Sequence, residues 1–245
     1  METSIETPVD YVKLMAEAAA KAVKDERAPS SFISFKSGIL TIDDQPIPGN
    51  KIKCVVLASL YENDYFPRKF DPTTLVSPDC WALGHNEDDM KPTDEVTSKQ
   101  NFECVSCPHN KWPEAKGQPK ACKNIRRIAL VDAKILTSED ALSHKVWYAR
   151  LPVTSVKNWS QYVVQIGNVV NRPSWGVITE LSLVPDLKSQ FKVNFLFQGL
   201  VSDNRLEVLS KMAEAEANTG LWFPYPKNDL EKAAEPAPAK TGKKF

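Results

Sequence analysis

Four of the five cysteines, Cys80, Cys104, Cys107 and Cys122, have the spacing Cys-x23-Cys-x2-Cys-x14-Cys. A Cys-x-x-Cys pair lets two thiolates from one tight turn reach the same metal ion, and two further cysteines complete a tetrahedron. Clustered cysteines in a chain without secretory features favour metal binding over disulfides. We therefore expect these four residues to hold one structural metal centre, with zinc preferred to an iron–sulfur cluster.

Neighbouring residues leave alternatives open. Pro108 directly follows Cys107, and Cys-Pro also occurs at iron–sulfur sites. His85 and His109 could replace a cysteine as ligand, but they rank below the cysteines because a histidine in a polar loop is usually solvated. A redox dithiol at Cys104 and Cys107 is less favoured, since no thioredoxin-like βαβ pattern surrounds the pair.

The motifs of common enzyme classes are missing from the sequence. It contains no Walker loop, GxGxxG, GxSxG or HExxH motif, and only three histidines. The acidic run Glu87-Asp88-Asp89 is expected to be a solvated surface, and Cys54, within an apolar run, to be a core residue. We expect no enzymatic activity.

Basic and aromatic residues follow the last of the four cysteines. Cations can track phosphates, while flat rings stack unpaired bases. The alternative is that the rings are ordinary core and the cations keep the surface soluble. On the first interpretation Lys123, Arg126, Arg127, Arg150 and Lys157 contact phosphates, and Trp147, Trp159 and Tyr162 stack bases.

These residues must be positioned by a β-rich α+β fold. We predict an N-terminal helix within 1–30, a domain at 31–226 with a metal-binding insert at 62–124, and a disordered tail at 227–245. Strand-like runs cover 32–42, 52–61, 125–131, 145–152, 162–166, 177–184 and 191–197, the last two forming a hairpin, and a helix covers 203–217. The sum is five to seven strands flanked by N- and C-terminal helices, and a barrel of this kind with a long metal-stabilised loop resembles an OB-fold.

Charge and hydropathy narrow the function classes. The chain has 31 basic and 31 acidic side chains, which argues against a polyelectrolyte. Between residues 101 and 160, however, bases outnumber acids by ten to five, which is consistent with an anionic partner. No apolar run is long enough to span a membrane, and the sequence METSIETPVD is not a signal peptide. We expect a cytoplasmic protein.

Two runs carry a family resemblance. Cys-Val-Ser-Cys-Pro-His-Asn-Lys-Trp at 104–112, followed by Lys-Ala-Cys-Lys-Asn-Ile-Arg-Arg at 120–127, resembles single-stranded DNA-binding proteins of tailed bacteriophages. The resemblance covers 80–130 by motif and roughly 30–225 in organisation. It does not extend to the acidic tip of common single-strand binders, because Phe245 follows Gly242-Lys243-Lys244.

The resemblance implies an OB-type protein that binds single-stranded DNA in phage replication or recombination, in the host cytoplasm. One rival is a structural or assembly protein in which the metal site stabilises a protein–protein interface. Another is a nuclease accessory protein with an iron–sulfur cluster, which the lack of a carboxylate–lysine nuclease motif disfavours.

Overall fold

The structure is a computed structural model that describes Met15 and residues 31–67, 77–115, 117–137 and 145–225. Apart from Met15, the predicted N-terminal helix at 1–30 lies outside the described residues. The predicted tail at 227–245 lies outside them entirely.

One mixed sheet contains all nine strands of the described residues. The strands run in the order β3-β2-β1-β7-β6-β4-β8-β9, and β5 pairs with β4 beside this path. Every pairing is antiparallel except that of β1 with β7. The strands are β1 Ser31–Ser34, β2 Thr41–Ile42, β3 Gln45–Pro46, β4 Lys51–Tyr65, β5 Cys80–Gly84, β6 Cys122–Asp132, β7 Trp147–Leu151, β8 Val177–Asp186 and β9 Gln190–Leu200.

The 15-residue strand β4 organises the sheet. β6 pairs along most of one edge of β4, while the other edge pairs first with β8 at residues 51–54 and then with β5 at 61–65. The register with β6 shifts between Val56 and Ala58, which marks a bulge. Bulges bend and twist a strand, and the sheet curls into a half-barrel.

Two helices complete the fold of the described residues. α1, Val153–Gln165, begins directly after Pro152 and continues into a π-helical turn at Ile166–Val170. α2 is Asp203–Asn218. α1 covers the middle of the outer edge of β9: the Val193 N–H donates to Ser155 Oγ (2.9 Å), and Asn158 Nδ2 donates to the Val193 carbonyl (3.0 Å). Capping these groups protects a sheet edge from pairing with another strand.

Apolar side chains are buried on both faces of the sheet. One core joins the sheet to α1 and includes Cys54, Val56, Ile128, Leu130, Trp159, Tyr162 and Phe195. The other joins it to α2 and includes Val55, Leu57, Leu60, Ala129, Val131, Leu209 and Leu221. Because both faces of the second half of β6 are covered, its sequence from Ile128 to Val131 is a continuous apolar run.

The predicted β-rich α+β class with a barrel-like sheet is confirmed at that level. The hairpin at 177–184 and 191–197 is confirmed as β8 and β9, and the helix at 203–217 as α2. The predicted strand at 162–166 is wrong, because α1 and its π-turn occupy these residues. The predicted insert at 62–124 contains strand structure: β4 continues to Tyr65, β5 lies inside it, and β6 begins at Cys122.

Within the described part of the chain, no helix combines the length and apolar character needed to cross a lipid bilayer.

Candidate metal centre and nucleic-acid interface

The ends of three strands bring two of the cysteines together. Cys80 is the first residue of β5 and Cys122 the first of β6, and both lie opposite Tyr65, one on each side of β4. The other pair comes from the segment between β5 and β6, which we call the cysteine loop (residues 85–121). The Cys104 N–H donates to the Met90 carbonyl (2.9 Å), and the Cys107 N–H donates to the Cys104 carbonyl (3.3 Å). The Cys-x-x-Cys pair therefore forms one tight turn above the strand ends.

All four cysteines line one small cavity, together with His109 and Asn63. Its volume is about 20 Å³, which is room for little more than one water-sized sphere. The four cysteines are buried, and none forms a disulfide. The sequence prediction that these four residues share one site is thus consistent with where the fold places them.

The thiols lie close enough to influence one another's ionisation. Burial is the largest effect, and with the neighbouring Cys104, Asp64, Cys107 and Cys80 it raises the pKa of Cys122 to about 12. Burial likewise raises the pKa of Cys104 and of Cys80, and charge on the partner cysteines adds to it. Four such thiols repel as anions, so a cation among them is what stabilises the thiolate form.

In the described residues, no group of three or more His, Cys, Asp or Glu side chains is arranged so that it could hold a metal ion. A zinc ion held by the four cysteines would need all four sulfurs about 2.3 Å from it.

Nearby donors fit a thiolate set. Asn63 Nδ2 is buried and has no hydrogen-bond acceptor within ordinary range in the described residues. It faces Cys104, whose pKa this amide lowers against the effect of burial. The Gln100 backbone acts on Cys80 in the same direction. N–H groups directed at sulfur are the outer contacts expected around metal-bound thiolates.

Side-chain amides attach the cysteine loop to the sheet. Asn110 Nδ2 donates to the Cys104 carbonyl (2.9 Å), and Asn110 Oδ1 accepts from Asn124 Nδ2 (2.9 Å). Asn124 Nδ2 also donates to Asn63 Oδ1 (2.5 Å), and Lys120 Nζ donates to Asn124 Oδ1 (3.0 Å). This network links the loop to β4 and β6 beneath the cysteine cavity.

Near this cavity, one exposed and three partly buried rings lie close to lysines or to one another. Lys120 Nζ lies 5.6 Å from the ring centre of Trp112, and Lys123 Nζ lies 5.1 Å from that of Phe66. Trp112 is 73% exposed. His109 stacks on Tyr65 with ring centres 4.2 Å apart. We call this set (Tyr65, Phe66, His109, Trp112, Lys120 and Lys123) the aromatic–basic rim.

Sequence reasoning missed the rings of the rim. Trp112 belongs to the Cys-x-x-Cys-Pro-His-Asn-Lys-Trp run that carried the resemblance, and Lys111 precedes it directly. The sequence did contain a signal for Trp112. A loop with few apolar residues cannot form a core large enough to bury such a ring, so the ring is expected to be exposed.

Two of the predicted phosphate contacts are not presented to solvent. Arg127 is 1% exposed, donates from Nη2 to Glu62 Oε1 (2.7 Å), and donates from Nη1 to the carbonyls of Leu221 (3.0 Å) and Phe223. Arg126 is buried with its guanidinium carbon 3.0 Å from the ring centre of Tyr61, and burial lowers its pKa. Both guanidiniums are committed to contacts inside the protein.

The predicted base-stacking residues belong to the core. Trp159 and Tyr162 are each 3% exposed and pack against Phe195, and Tyr162 Oη lies 2.6 Å from Thr179 Oγ1. Trp147 is half-buried against the same core. In this structure Trp159 and Tyr162 have no free face for a base, because α1 carries them inward.

Three predicted cations remain accessible. Lys123 belongs to the rim, Arg150 lies on β7 with its side chain 39% exposed, and Lys157 is exposed on α1. α1 contributes no residue to the lining of the cysteine cavity. The structure therefore brings Lys123, but not Lys157, to the cysteine site.

Near the cysteine site, two buried carboxylates of β4 form an ionic cluster with arginines of β6 and β7. Arg150 donates from Nε to Glu62 Oε2 (3.0 Å) and from Nη2 to Asp64 Oδ2, and Tyr225 Oη donates to Asp64 Oδ1 (2.6 Å). Burial alone would raise the pKa of Glu62, but Arg127 and Arg150 outweigh burial and hold it below its usual value. Burial, followed by the Glu62 charge, raises the pKa of Asp64 to about 7.

The remaining candidate ligands separate clearly. His109 lines the cysteine cavity, whereas His85 packs against Trp222 with ring centres 5.6 Å apart and does not line it. Cys54 is buried in the α1-side core, where its Sγ donates to the Thr179 carbonyl (3.5 Å), as the sequence predicted. Burial raises the pKa of Cys54 to about 12.

Comparison of the chain with models of protein families, with curated proteins and with solved structures finds no match.

Proposed function

We propose that this chain is a single-stranded DNA-binding protein with a structural zinc site, acting in phage DNA replication or recombination in the host cytoplasm. The observation that carries the proposal is the site itself: four cysteines line one ion-sized cavity, and two ring–lysine pairs, the exposed Trp112 with Lys120 and the partly buried Phe66 with Lys123, lie in the segments next to the cysteines. The proposal includes the fold type: the half-barrel would be an OB-like barrel.

Zinc is the metal that the donor set fits best. Four thiolates give the closed tetrahedral site typical of structural zinc, with no open position for catalysis. The cysteine loop buries few apolar side chains, so metal binding would supply the free energy that a hydrophobic core supplies elsewhere. The Asn63 amide and the Gln100 backbone would then stabilise the negative charge on the sulfurs of Cys104 and Cys80. An iron–sulfur cluster stays the alternative, and its visible absorbance would reveal it.

The rim offers both contacts that an unpaired strand requires. An exposed ring such as Trp112 can stack a base, which contributes ~1–3 kcal/mol per base and tolerates any sequence. Lys120 and Lys123 stand beside the rings, where they can follow the phosphates. Fixing the loop through the metal would hold these groups in place before the strand arrives, which lowers the entropy cost of binding.

A titration of fluorescent oligo(dT) by anisotropy at two salt concentrations tests the function. Trp112→Ala should lower the affinity with little change in salt dependence, because stacking is not ionic. Lys120→Ala combined with Lys123→Ala should lower the affinity and reduce the salt slope by about 0.7 for each phosphate that is no longer neutralised.

The controls use residues of matched type. Trp112→Phe keeps a ring and should retain most of the affinity. Lys51→Ala with Lys53→Ala removes two exposed lysines at the opposite end of β4 and should leave binding unchanged. A wild-type protein that fails to bind oligo(dT) at low salt would disprove the proposal.

One observation favours a second candidate, a protein-interaction or assembly role. Phe102 is 89% exposed, and the apolar residues Val105 and Trp112 are exposed on the same loop. Exposed apolar groups in one place mark protein contacts as well as nucleic-acid contacts. Absence of DNA binding, together with self-association that Phe102→Ser abolishes, would favour this candidate.

A further inference from the structure

A second concave site lies on the sheet, away from the cysteine cavity. It is a shallow depression, largely open to solvent, with a volume of about 420 Å³. It shares no lining residue with the cysteine cavity. The cleft is lined by Phe32, Ile33, Ser34, Phe35, Lys36, Arg150, Pro152 and Phe191, which come from β1 and the turn after it, the end of β7 and the start of β9.

The lining has a clear chemical character. It contains three phenylalanine rings and two cations, Lys36 and Arg150, and none of its residues is acidic. Phe32 is 45% exposed and packs in a T-shaped contact against Phe223 with ring centres 5.4 Å apart. Exposed ring surface next to positive charge complements a ligand that is flat at one end and anionic at the other.

The Arg150 guanidinium is held in place at the edge of the cleft. Glu62 and Asp64 accept from its Nε and Nη2, and Tyr225 contacts the same nitrogen. Its Nη1 has no partner in the part of the chain that the structure describes. Because buried carboxylates already hold this guanidinium, it loses little conformational entropy when it binds an oxyanion.

We propose that this cleft binds one nucleotide unit of a single strand, with the base against Phe32 and the phosphate between Arg150 and Lys36. The inference rests on the proposed single-stranded DNA binding and extends it, because it places a second contact for the same strand outside the rim. Two contacts joined by one strand act as a bivalent ligand, so a strand long enough to reach both binds more tightly than a short one.

The test compares oligo(dT) of ~5 and ~30 nucleotides, lengths below and above the usual range of site sizes. Phe32→Ala with Lys36→Ala should weaken binding of the longer oligomer at least about fivefold. It should also reduce the salt slope by about 0.7. Ile39→Ala with Lys53→Ala is the matched control, because Ile39 is also 45% exposed and neither residue lines the cleft.

Lys36→Ala alone guards against misfolding, because it removes only an exposed cation and should still reduce the salt slope. A wild type that binds, is weakened by Trp112→Ala and is indifferent to both cleft variants would overturn this inference alone. A wild type that binds no oligomer would overturn this inference and the proposed function together.

Discussion

The sheet and the cysteine loop are held together by different forces. The sheet buries apolar side chains on both faces, so its stability comes chiefly from surface removed from water. In the cysteine loop the buried described residues are Met90, Pro92, Val96, Cys104 and Cys107. The loop is attached to the sheet by its amide network, by Val96 in the α2-side core, and by Met90 and Cys104, which pack with Ala82. The comparison teaches that a long, mostly polar segment can be ordered beside a conventional core while contributing only a few side chains to it.

Breaking the buried ionic cluster should have the largest effect, and it should act on the sheet. Glu62→Ala leaves the guanidinium of Arg127 buried without its partner, which we expect to cost ~3–5 kcal/mol of the free energy of unfolding. Urea denaturation followed by circular dichroism measures this loss.

Glu180→Ala is the control for that prediction. Glu180 lies on the same sheet, but its partner is the exposed Lys51, 3.8 Å away. Its loss should cost less than ~1 kcal/mol. Equal effects of the two substitutions would show that the buried cluster contributes nothing special.

Metal removal should act on the loop and spare the sheet. After chelation we expect the Cys104 amide, which donates to the Met90 carbonyl, to exchange with solvent at least about tenfold faster. Amides of β4 and β6 away from the cysteines should keep their protection, because the apolar cores are untouched. Hydrogen exchange read by mass spectrometry separates the two regions, and simultaneous loss of protection in both would refute the comparison.

A smaller, pH-dependent effect is expected from Asp64. Its pKa is 3.8 in the unfolded chain and about 7 in the fold, so between these values the folded state holds a proton that the unfolded state releases. The free energy of unfolding should therefore fall as the pH rises through this window, by at most about 1.4 kcal/mol per pH unit.

Asp64→Asn keeps the shape without the titration and should flatten this dependence, as measured by urea denaturation at pH 5 and pH 8. Asp88→Asn, in the exposed acidic run, should leave it as in the wild type. An unchanged slope in Asp64→Asn would assign the pH dependence to other groups.

The local patterns in the sequence predicted much of the sheet. Alternation in Phe191–Phe197 identified β9, and the spacing of the cysteines identified four residues that line one cavity. Strand alternation and cysteine spacing are set by residues that are close together in the chain, so they can be recognised in a single sequence.

The errors arose where contacts between residues far apart in the chain determine whether a side chain is buried. Tyr162 looks like an exposed strand residue beside basic neighbours, but α1 turns it into a core that includes Phe195. Arg127 looks like a surface cation, yet its partners Glu62 and Leu221 are 65 and 94 residues away in the chain. Only the fold brings such charges together, so the sequence could not separate an available cation from a buried one.

Metal analysis of the purified protein tests the central claim, that four cysteines form one metal site, most directly. We expect about one zinc per chain in the wild type, none in Cys107→Ser and a full complement in Cys54→Ser, since Cys54 lies in the α1-side core. Absorbance near 400 nm would show that an iron–sulfur cluster, and not zinc, is bound by the same four cysteines. A metal-free wild type, or metal lost in Cys54→Ser but kept in Cys107→Ser, would contradict the claim.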